Sequence, residues 1–364
     1  MRIGFDAKRA YCNTSGLGNY SRSIISAMIA CEPRNQYFLF VPKADRHLYA
    51  PGGVTEVSAK YAPTGWLWRY MQMGKTAGKL HLDVFHGLSN ELPKDIAHCH
   101  AKKIVTVHDT IFMRYPQWYK WHDRYMYEHK TAWACKAADT VIAISEQTKN
   151  DLVHYFHVPD SKIEVVYQPC NRLFCQKPAE EELRAVKEKF ALPEQYVLMV
   201  GNIEPRKNIL SVIKAMEKQQ LSLPLVIVGK ETRYALQLKA YVKENGLSGI
   251  YFYHHVDNQE LASFYTLAQM LVYVSWFEGF GIPIVEAMHS GTPVITGNHS
   301  CFQETAGGAA LYADVENIDD IAEKISTLAN DTSLQKTMTA EGYEQVKKFD
   351  ADKIARQILQ LYEK

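Results

Sequence analysis

Short, wholly apolar runs alternate with amphipathic stretches from one end of this chain to the other, and few folds accommodate that pattern. A strand that is apolar at every position is buried on both faces, which calls for helices above and below a parallel sheet. In the first half the candidate strands are 1–6, 36–41, 82–85, 103–107 and 140–144, with helical patterns near 18–30, 64–79, 118–137 and 145–155. The pattern falters over 157–178, where Val158-Pro159-Asp160, Gln168-Pro169-Cys170 and Lys177-Pro178 are loop chemistry. A charged helix at 179–190 then opens a second series. Its strands are near 196–201, 224–229, 250–254, 270–275 and 293–296, and its helices near 207–218, 232–245, 258–267, 284–290, 318–329 and 333–347. With 364 residues the chain is long enough for two cores. The expected organisation is one α/β domain over 1–170 and a second over 171–348. An amphipathic segment, 349–364, carries Ile354, Ile358, Leu359, Leu361 and Tyr362 and is a candidate to cross back onto the first.

Charge and cysteine usage exclude several classes. The formal net charge of +1 gives no electrostatic case for bulk nucleic-acid binding. No apolar run reaches bilayer-spanning length, and the amino end reads as a strand rather than a leader, so a cytoplasmic location is expected with peripheral membrane contact left open. The seven cysteines are scattered without a Cys-x-x-Cys pair, which points to reduced thiols. His98-Cys99-His100 is a poor metal clip because adjacent residues rarely converge on one ion, and no metal site is expected.

Three strand-to-helix turns carry the chemistry. After the first strand comes Ser15-Gly16-Leu17-Gly18-Asn19-Tyr20, a glycine loop that suits either a tight turn or an anion or sugar contact at a helix start. A dinucleotide fingerprint would put a third glycine at position 21, which is Ser21, and an acid after the second strand, which ends Phe40-Val41-Pro42-Lys43. A nicotinamide or flavin cofactor is therefore disfavoured. The second domain opens with Val200-Gly201-Asn202-Ile203-Glu204-Pro205-Arg206-Lys207-Asn208. Cations at the start of the next helix oppose its dipole, and a bound diphosphate would explain them.

The densest stretch is Ser275-Trp276-Phe277-Glu278-Gly279-Phe280-Gly281-Ile282-Pro283, followed by Ile284-Val285-Glu286. Glu278 falls in the loop and Glu286 in the first turns of the helix, so both can line a crevice at the carboxyl ends of the strands. Carboxylates accept hydrogen bonds from polyol hydroxyls, and Gly279 and Gly281 free backbone N–H groups for phosphate or sugar oxygens.

These residues resemble the retaining glycosyltransferases of family 4, which have the GT-B fold of two facing Rossmann-like domains with parallel sheets and an interdomain cleft. The resemblance rests on Glu278 and Glu286 with the Glu-Gly-Phe-Gly loop, and on Glu204-Pro205-Arg206-Lys207-Asn208 and Gly291-Thr292-Pro293. It extends to the glycine loop at Gly16 and Gly18 and to Asp139–Glu146. It implies that Lys207 holds the donor diphosphate and that Glu278 contacts hydroxyls of the donor sugar. Backbone groups of Phe280, Gly281 and Ile282 would serve the sugar and phosphates, Glu286 would bind the ribose, and the base would lie against the segment around Val256. His108, with Asp109 beside it, matches the family's histidine at a first-domain strand end, facing the donor sugar. One departure is Asn202, where many members have an arginine; Arg206 is the candidate substitute.

The implied reaction is metal-independent transfer of a hexose from a nucleoside diphosphate sugar, with no bound cofactor. The acceptor would be a saccharide or lipid-linked saccharide in surface polysaccharide synthesis, met in the first domain. The block at 204–208 and the His-Asp-Thr sequence look most like bacterial mannosyltransferases, which makes GDP-mannose the first donor expectation and leaves UDP-hexoses open. Asp109 or the leaving phosphate would take the acceptor proton. Aromatic and cationic residues mix in Trp66–Met71 and Arg114–Trp121, which suits a membrane interface, sugar stacking or an ordinary helix burying its aromatics. A GT-B epimerase, a glycosidase using Glu278 and Glu286, and a non-catalytic sugar-binding protein are the alternatives.

Overall fold

The computed structural model describes residues 1–42, 48–59, 65–218 and 223–364. Lys43 and position 64, where the second helical pattern was expected to begin, lie outside the described residues. The chain divides into two compact units, Met1–Asn171 with Phe349–Lys364, and Arg172–Lys348.

The first unit is built on seven strands: β1 (Arg2–Asp6), β2 (Gln36–Val41), β3 (Val54–Ser58), β4 (Val84–Gly87), β5 (Lys102–Val107), β6 (Thr140–Ala143) and β7 (Ile163–Val165). All neighbours are parallel, in the order β3-β2-β1-β4-β5-β6-β7. Ile3, Phe5, Leu39, Phe40, Val105 and Val107 are buried, as strands covered on both faces require. The chain winds outward from β1 in both directions, so the strand order reverses between β1 and β4. A crevice opens at the carboxyl ends of the strands at such a point.

The second unit has six strands: β8 (Val197–Val200), β9 (Leu225–Val228), β10 (Ile250–Tyr253), β11 (Met270–Tyr273), β12 (Val294–Gly297) and β13 (Ala310–Ala313). They too are all parallel, in the order β10-β9-β8-β11-β12-β13, and the reversal falls between β8 and β11. Its core takes Val197, Met199, Leu225, Ile227, Met270 and Val272 from the strands, and Val212, Ile213, Ile321 and Ile325 from the covering helices.

The last helix, Ala351–Glu363, buries Ile354, Ala355, Ile358, Leu361 and Tyr362 and packs on the helix Gly16–Cys31 within the first unit. Asp350 caps it by accepting from the Lys353 N–H at 2.9 Å. Three edge strands, β3, β7 and β13, go beyond the strands read from sequence. The pattern read as one helix over 64–79 is two, Gly65–Met71 and Met73–Lys79, and the fourth strand starts two residues later than expected.

Candidate active site

The reversal between β8 and β11 decides where the second unit concentrates its charge. The chain leaves β8 at Gly201 and forms a single 3₁₀ turn, Pro205–Lys207, before the helix Ile209–Lys218. Arg206 and Lys207 therefore precede the helix rather than occupying its first turn, and their neutralising partner is a side chain. Lys207 Nζ donates to Glu278 Oε1 at 2.7 Å, and Arg206 Nη1 lies 2.7 Å from the same oxygen. Lys207 also donates to the Tyr273 hydroxyl at 2.8 Å. Gly201, at φ +136°, leaves room for the lysine stem, since a Cβ there would come within 3.1 Å of Lys207 Cε.

Glu278 is buried, and burial pushes its pKa up. The two cations outweigh burial and bring it down to about 2, so the carboxylate is firmly ionised. Burial, aided by Arg206, draws the Lys207 ammonium below the ordinary lysine value against the pull of Glu278. The loop around Glu278 is held from both sides. Arg206 Nη1 donates to Phe277 O at 2.9 Å, and Ser300 Oγ and Cys301 Sγ donate to Glu278 O at 3.0 and 3.3 Å. Thr305 donates to Phe280 O, and His299 Nε2 to Trp276 O at 2.7 Å. Gly279, Phe280 and Gly281 are buried along this loop, with Gly281 at the N-cap of the helix Ile282–His289.

Glu286 is the fifth residue of that helix and has a different environment. It is buried, and its Oε2 accepts from the Tyr265 hydroxyl at 2.9 Å. Burial raises its pKa to about 7, against the lowering effect of that hydrogen bond. The two carboxylates thus differ sharply: one is locked as an anion by cations, the other titrates near neutrality. Val256 is half-buried, and the neighbouring Asp257 is engaged in capping the helix Asn258–Leu267. Asn202 is exposed, while Arg206 shares the carboxylate with Lys207.

In the first unit, His108 follows β5 and is buried. Its Nε2 lies 2.9 Å from Leu88 O, so that nitrogen carries the proton, and Nδ1 accepts from Gln168 Nε2 at 2.9 Å. Burial lowers its pKa to about 4, which keeps the imidazole neutral at pH 7. Asp109 is half-buried and Oδ1 accepts from the Ile111 N–H at 3.2 Å. A Cβ on Gly18 would lie 1.9 Å from Asn13 O, so this glycine has a packing reason, whereas Gly16 faces open space. The sequence reading missed Tyr273, Tyr265, Gln168 and the 299–305 segment. Tyr273 ends a strand and Tyr265 lies on a helix, and neither position carries a motif of its own.

Two further stretches bear on the site. The sequence reading found no Asp-x-Asp triple, the usual carboxylate pair for a metal-bound diphosphate, but one stands at Asp350-Ala351-Asp352. Its first carboxylate is the cap of the last helix, and Asp352 lies 3.7 Å from Cys31 Sγ. The aromatic stretches are partly solvent-facing: Trp68 is buried, but Trp66 is 72% and Trp121 80% exposed. Among the described residues no helix is long and apolar enough to cross a membrane.

Two doubly wound parallel sheets, each with its connecting loops gathered at a strand-order reversal, are the GT-B architecture, and Anabaena HepE in complex with UDP and glucose shares it. That structure matches with a TM-score of 0.78 at 16% identity, over 100% of this chain and 99% of that one. Residues 14–172 match the family described as Glycosyltransferase Family 4, and residues 180–345 match Glycosyl transferases group 1. The chain belongs to this family of glycosyltransferases. O-antigen chain mannosyltransferase B of Escherichia coli is 28% identical over 286 residues, 77% of this chain and 74% of that protein. O-antigen chain mannosyltransferase RfbU of Salmonella typhimurium is 34% identical over 238 residues, 62% of this chain and 63% of that one.

The Glu286 environment yields a test. An acid whose folded pKa is raised gives stability that is complete below its unfolded value, near 4.3, and is lost as pH climbs toward the folded value, about 7. Glu286→Gln removes that loss. Urea melts of the nucleotide-free protein should show the variant gaining on wild type between pH 5 and pH 8, by up to about 3 kcal/mol. A constant gap across that range would mean that Glu286 is ionised normally.

Proposed function

We propose that this glycosyltransferase moves a hexose from a nucleoside diphosphate sugar to a saccharide or lipid-linked saccharide acceptor, with retention at the anomeric carbon and without a metal ion. The observation that carries the reading is the pair Arg206 and Lys207 fixed on one ionised carboxylate at the β8/β11 reversal. A donor diphosphate is an anion that competes with Glu278 for both cations. Arg206 offers a planar fork and Lys207 a point charge, the two donor types that phosphate oxygens take best. Displaced from the cations, Glu278 becomes a free acceptor for hydroxyls of the transferred sugar. Glu286 takes the ribose hydroxyls, with its pKa drawn down as they donate, and the base lies against the segment at Val256.

In the transfer step the bond from the anomeric carbon to the diphosphate breaks and a bond to the acceptor oxygen forms on the same face. The acceptor proton passes to the departing phosphate oxygen, or to Asp109. Arg206 and Lys207 stabilise the growing negative charge, as preorganised cations do in a water-poor site. His108, neutral at pH 7, supplies hydrogen bonding rather than charge, its Nδ1 lone pair passing from Gln168 to a sugar hydroxyl. Gly16, where an added Cβ would meet open space, lets the donor approach the loop backbone. The mannosyltransferase names of the matched relatives favour mannose, and so GDP-mannose. No observation favours the epimerase, glycosidase or non-catalytic alternatives. The exposed Trp66 and Trp121 support peripheral contact of the first unit with a membrane surface.

Calorimetric titration of GDP, UDP and ADP in the presence of a chelator tests the donor site. GDP should bind selectively, and Lys207→Ala should weaken it roughly tenfold or more. Selective UDP binding would move the donor to a UDP-hexose, and no binding of any nucleotide would remove the reading. For the membrane surface, co-sedimentation with vesicles containing phosphatidylglycerol should drop when Trp66 and Trp121 are both changed to serine. Equal sedimentation of wild type and variant would argue against it.

A further inference from the structure

A run of buried polar side chains crosses the first unit from the last helix to His108. Tyr362, on the helix Ala351–Glu363, places its hydroxyl 2.6 Å from His86 Nδ1 on β4. His86 Nε2 lies 2.8 Å from Thr106 Oγ1 on β5, and Thr106 Oγ1 lies 3.2 Å from the Tyr20 hydroxyl on the helix Gly16–Cys31. The Tyr20 ring then meets the His108 ring at 4.5 Å between centroids, with the planes at 89°. Every member of the run is buried. Apolar side chains of the same shape would fill this space at least as stably, because a buried polar network gains little over a well-packed core. Such a network does fix geometry, since each member has one set of partners it can satisfy.

The proton inventory gives the run its order. Burial, with His108 nearby, drives the His86 pKa down to about 3, so its ring is neutral and carries one N–H. The ring therefore bridges the Tyr362 and Thr106 hydroxyls, donating to one and accepting from the other, with Met28 Sδ 3.9 Å from the Tyr362 hydroxyl. Thr106 then holds the Tyr20 hydroxyl, and with it the tilt of the ring that packs perpendicular to His108. On its other sides His108 is fixed by Leu88 O and Gln168. The Tyr20 ring packs edge-on against it, and perpendicular ring pairs have a preferred geometry.

We infer that Tyr362 is a positioning residue for His108, acting through His86, Thr106 and Tyr20; this rests on the reading of His108 as a group of the transfer site. The last helix thereby does more than close the first unit: it sets the orientation of an imidazole at the far end of the run.

The test uses the full chain with ¹⁵N-labelled histidine, its signals assigned with His86→Gln and His108→Asn. Wild type should show both rings neutral, His108 as the Nε2–H tautomer and His86 as one fixed tautomer. Tyr362→Phe should change the ring signals of His86 and shift those of His108. Thr106→Val, which cuts the run closer to His108, should shift them as well. Ile358→Ala removes packing from the same buried helix face outside the run, and should lower stability while leaving the His108 signals in place. His108 signals unchanged in both Tyr362→Phe and Thr106→Val would overturn the inference, as would equal shifts in Ile358→Ala. If Tyr362→Phe does not fold, Tyr20→Phe keeps the ring, removes only the last hydroxyl and gives the same readout. In mannose transfer from GDP-mannose, Tyr362→Phe should lose roughly ten- to a hundredfold in kcat with KM near wild type. Unchanged kcat would refute positioning. Unchanged kcat in His108→Asn would instead refute the role given to His108, with the imidazole signals still deciding whether the run couples the two residues.

Discussion

A buried carboxylate shared by two half-buried cations is the interaction around which the second unit is arranged. Glu278, Arg206 and Lys207 would each be costly to bury alone, and with Glu204 3.6 Å from Arg206 the two cations are balanced by two acids. The cluster needs the 3₁₀ turn after β8 to present both cations and the loop after β11 to present the acid. It also needs the strand-order reversal that brings those two connections side by side. Ser300, Cys301, Thr305 and His299 then fix the loop backbone. In the proposed reading a diphosphate takes the place of the internal carboxylate on both cations, and that carboxylate keeps the cluster stable until one arrives.

The acids and the histidine are tuned by environment to different states. Glu278 is held ionised by two cations, Glu286 is brought near neutrality by burial, and His108 is kept uncharged by burial. In the proposed reaction those states match three tasks: accepting hydroxyls from the sugar, accepting hydroxyls from the ribose, and hydrogen bonding without adding charge beside an oxocarbenium-like centre. Leaving-group stabilisation falls to Arg206 and Lys207.

The strands at the centre of each sheet were plain in the sequence because burial on both faces makes them apolar throughout, as in Ile3-Gly4-Phe5 and Met270-Leu271-Val272. Edge strands were not. Val54–Ser58 includes Glu56 and has no buried residue, Ile163–Val165 is only three residues long, and Ala310–Ala313 is four residues with two of them only half-buried. Glycine loops and paired acids marked the candidate site, yet the spacing of Glu278 and Glu286 said nothing of their partners. Those partners, Arg206 with Lys207 and Tyr265, are set by the parallel register and by helix packing, which bring distant segments together. Likewise the cations were read as waiting for a ligand at a helix start, while the fold supplies them with a carboxylate from seventy-odd residues away. His108 was legible by its place at a strand end, but not its enclosure by Leu88, Gln168 and Tyr20.

The most direct test of the charge cluster is the affinity of Glu278→Gln for GDP and UDP, measured by calorimetry beside wild type. Removing the carboxylate leaves two half-buried cations without their shared partner, which should lower the stability of the nucleotide-free protein by up to about 3 kcal/mol. The nucleotide that wild type prefers should bind more tightly to the variant, because the diphosphate no longer competes with Glu278, even as sugar transfer is lost. Weaker binding of both nucleotides at unchanged stability would contradict the account, since it would mean that Glu278 does not hold the cations in reserve for the donor.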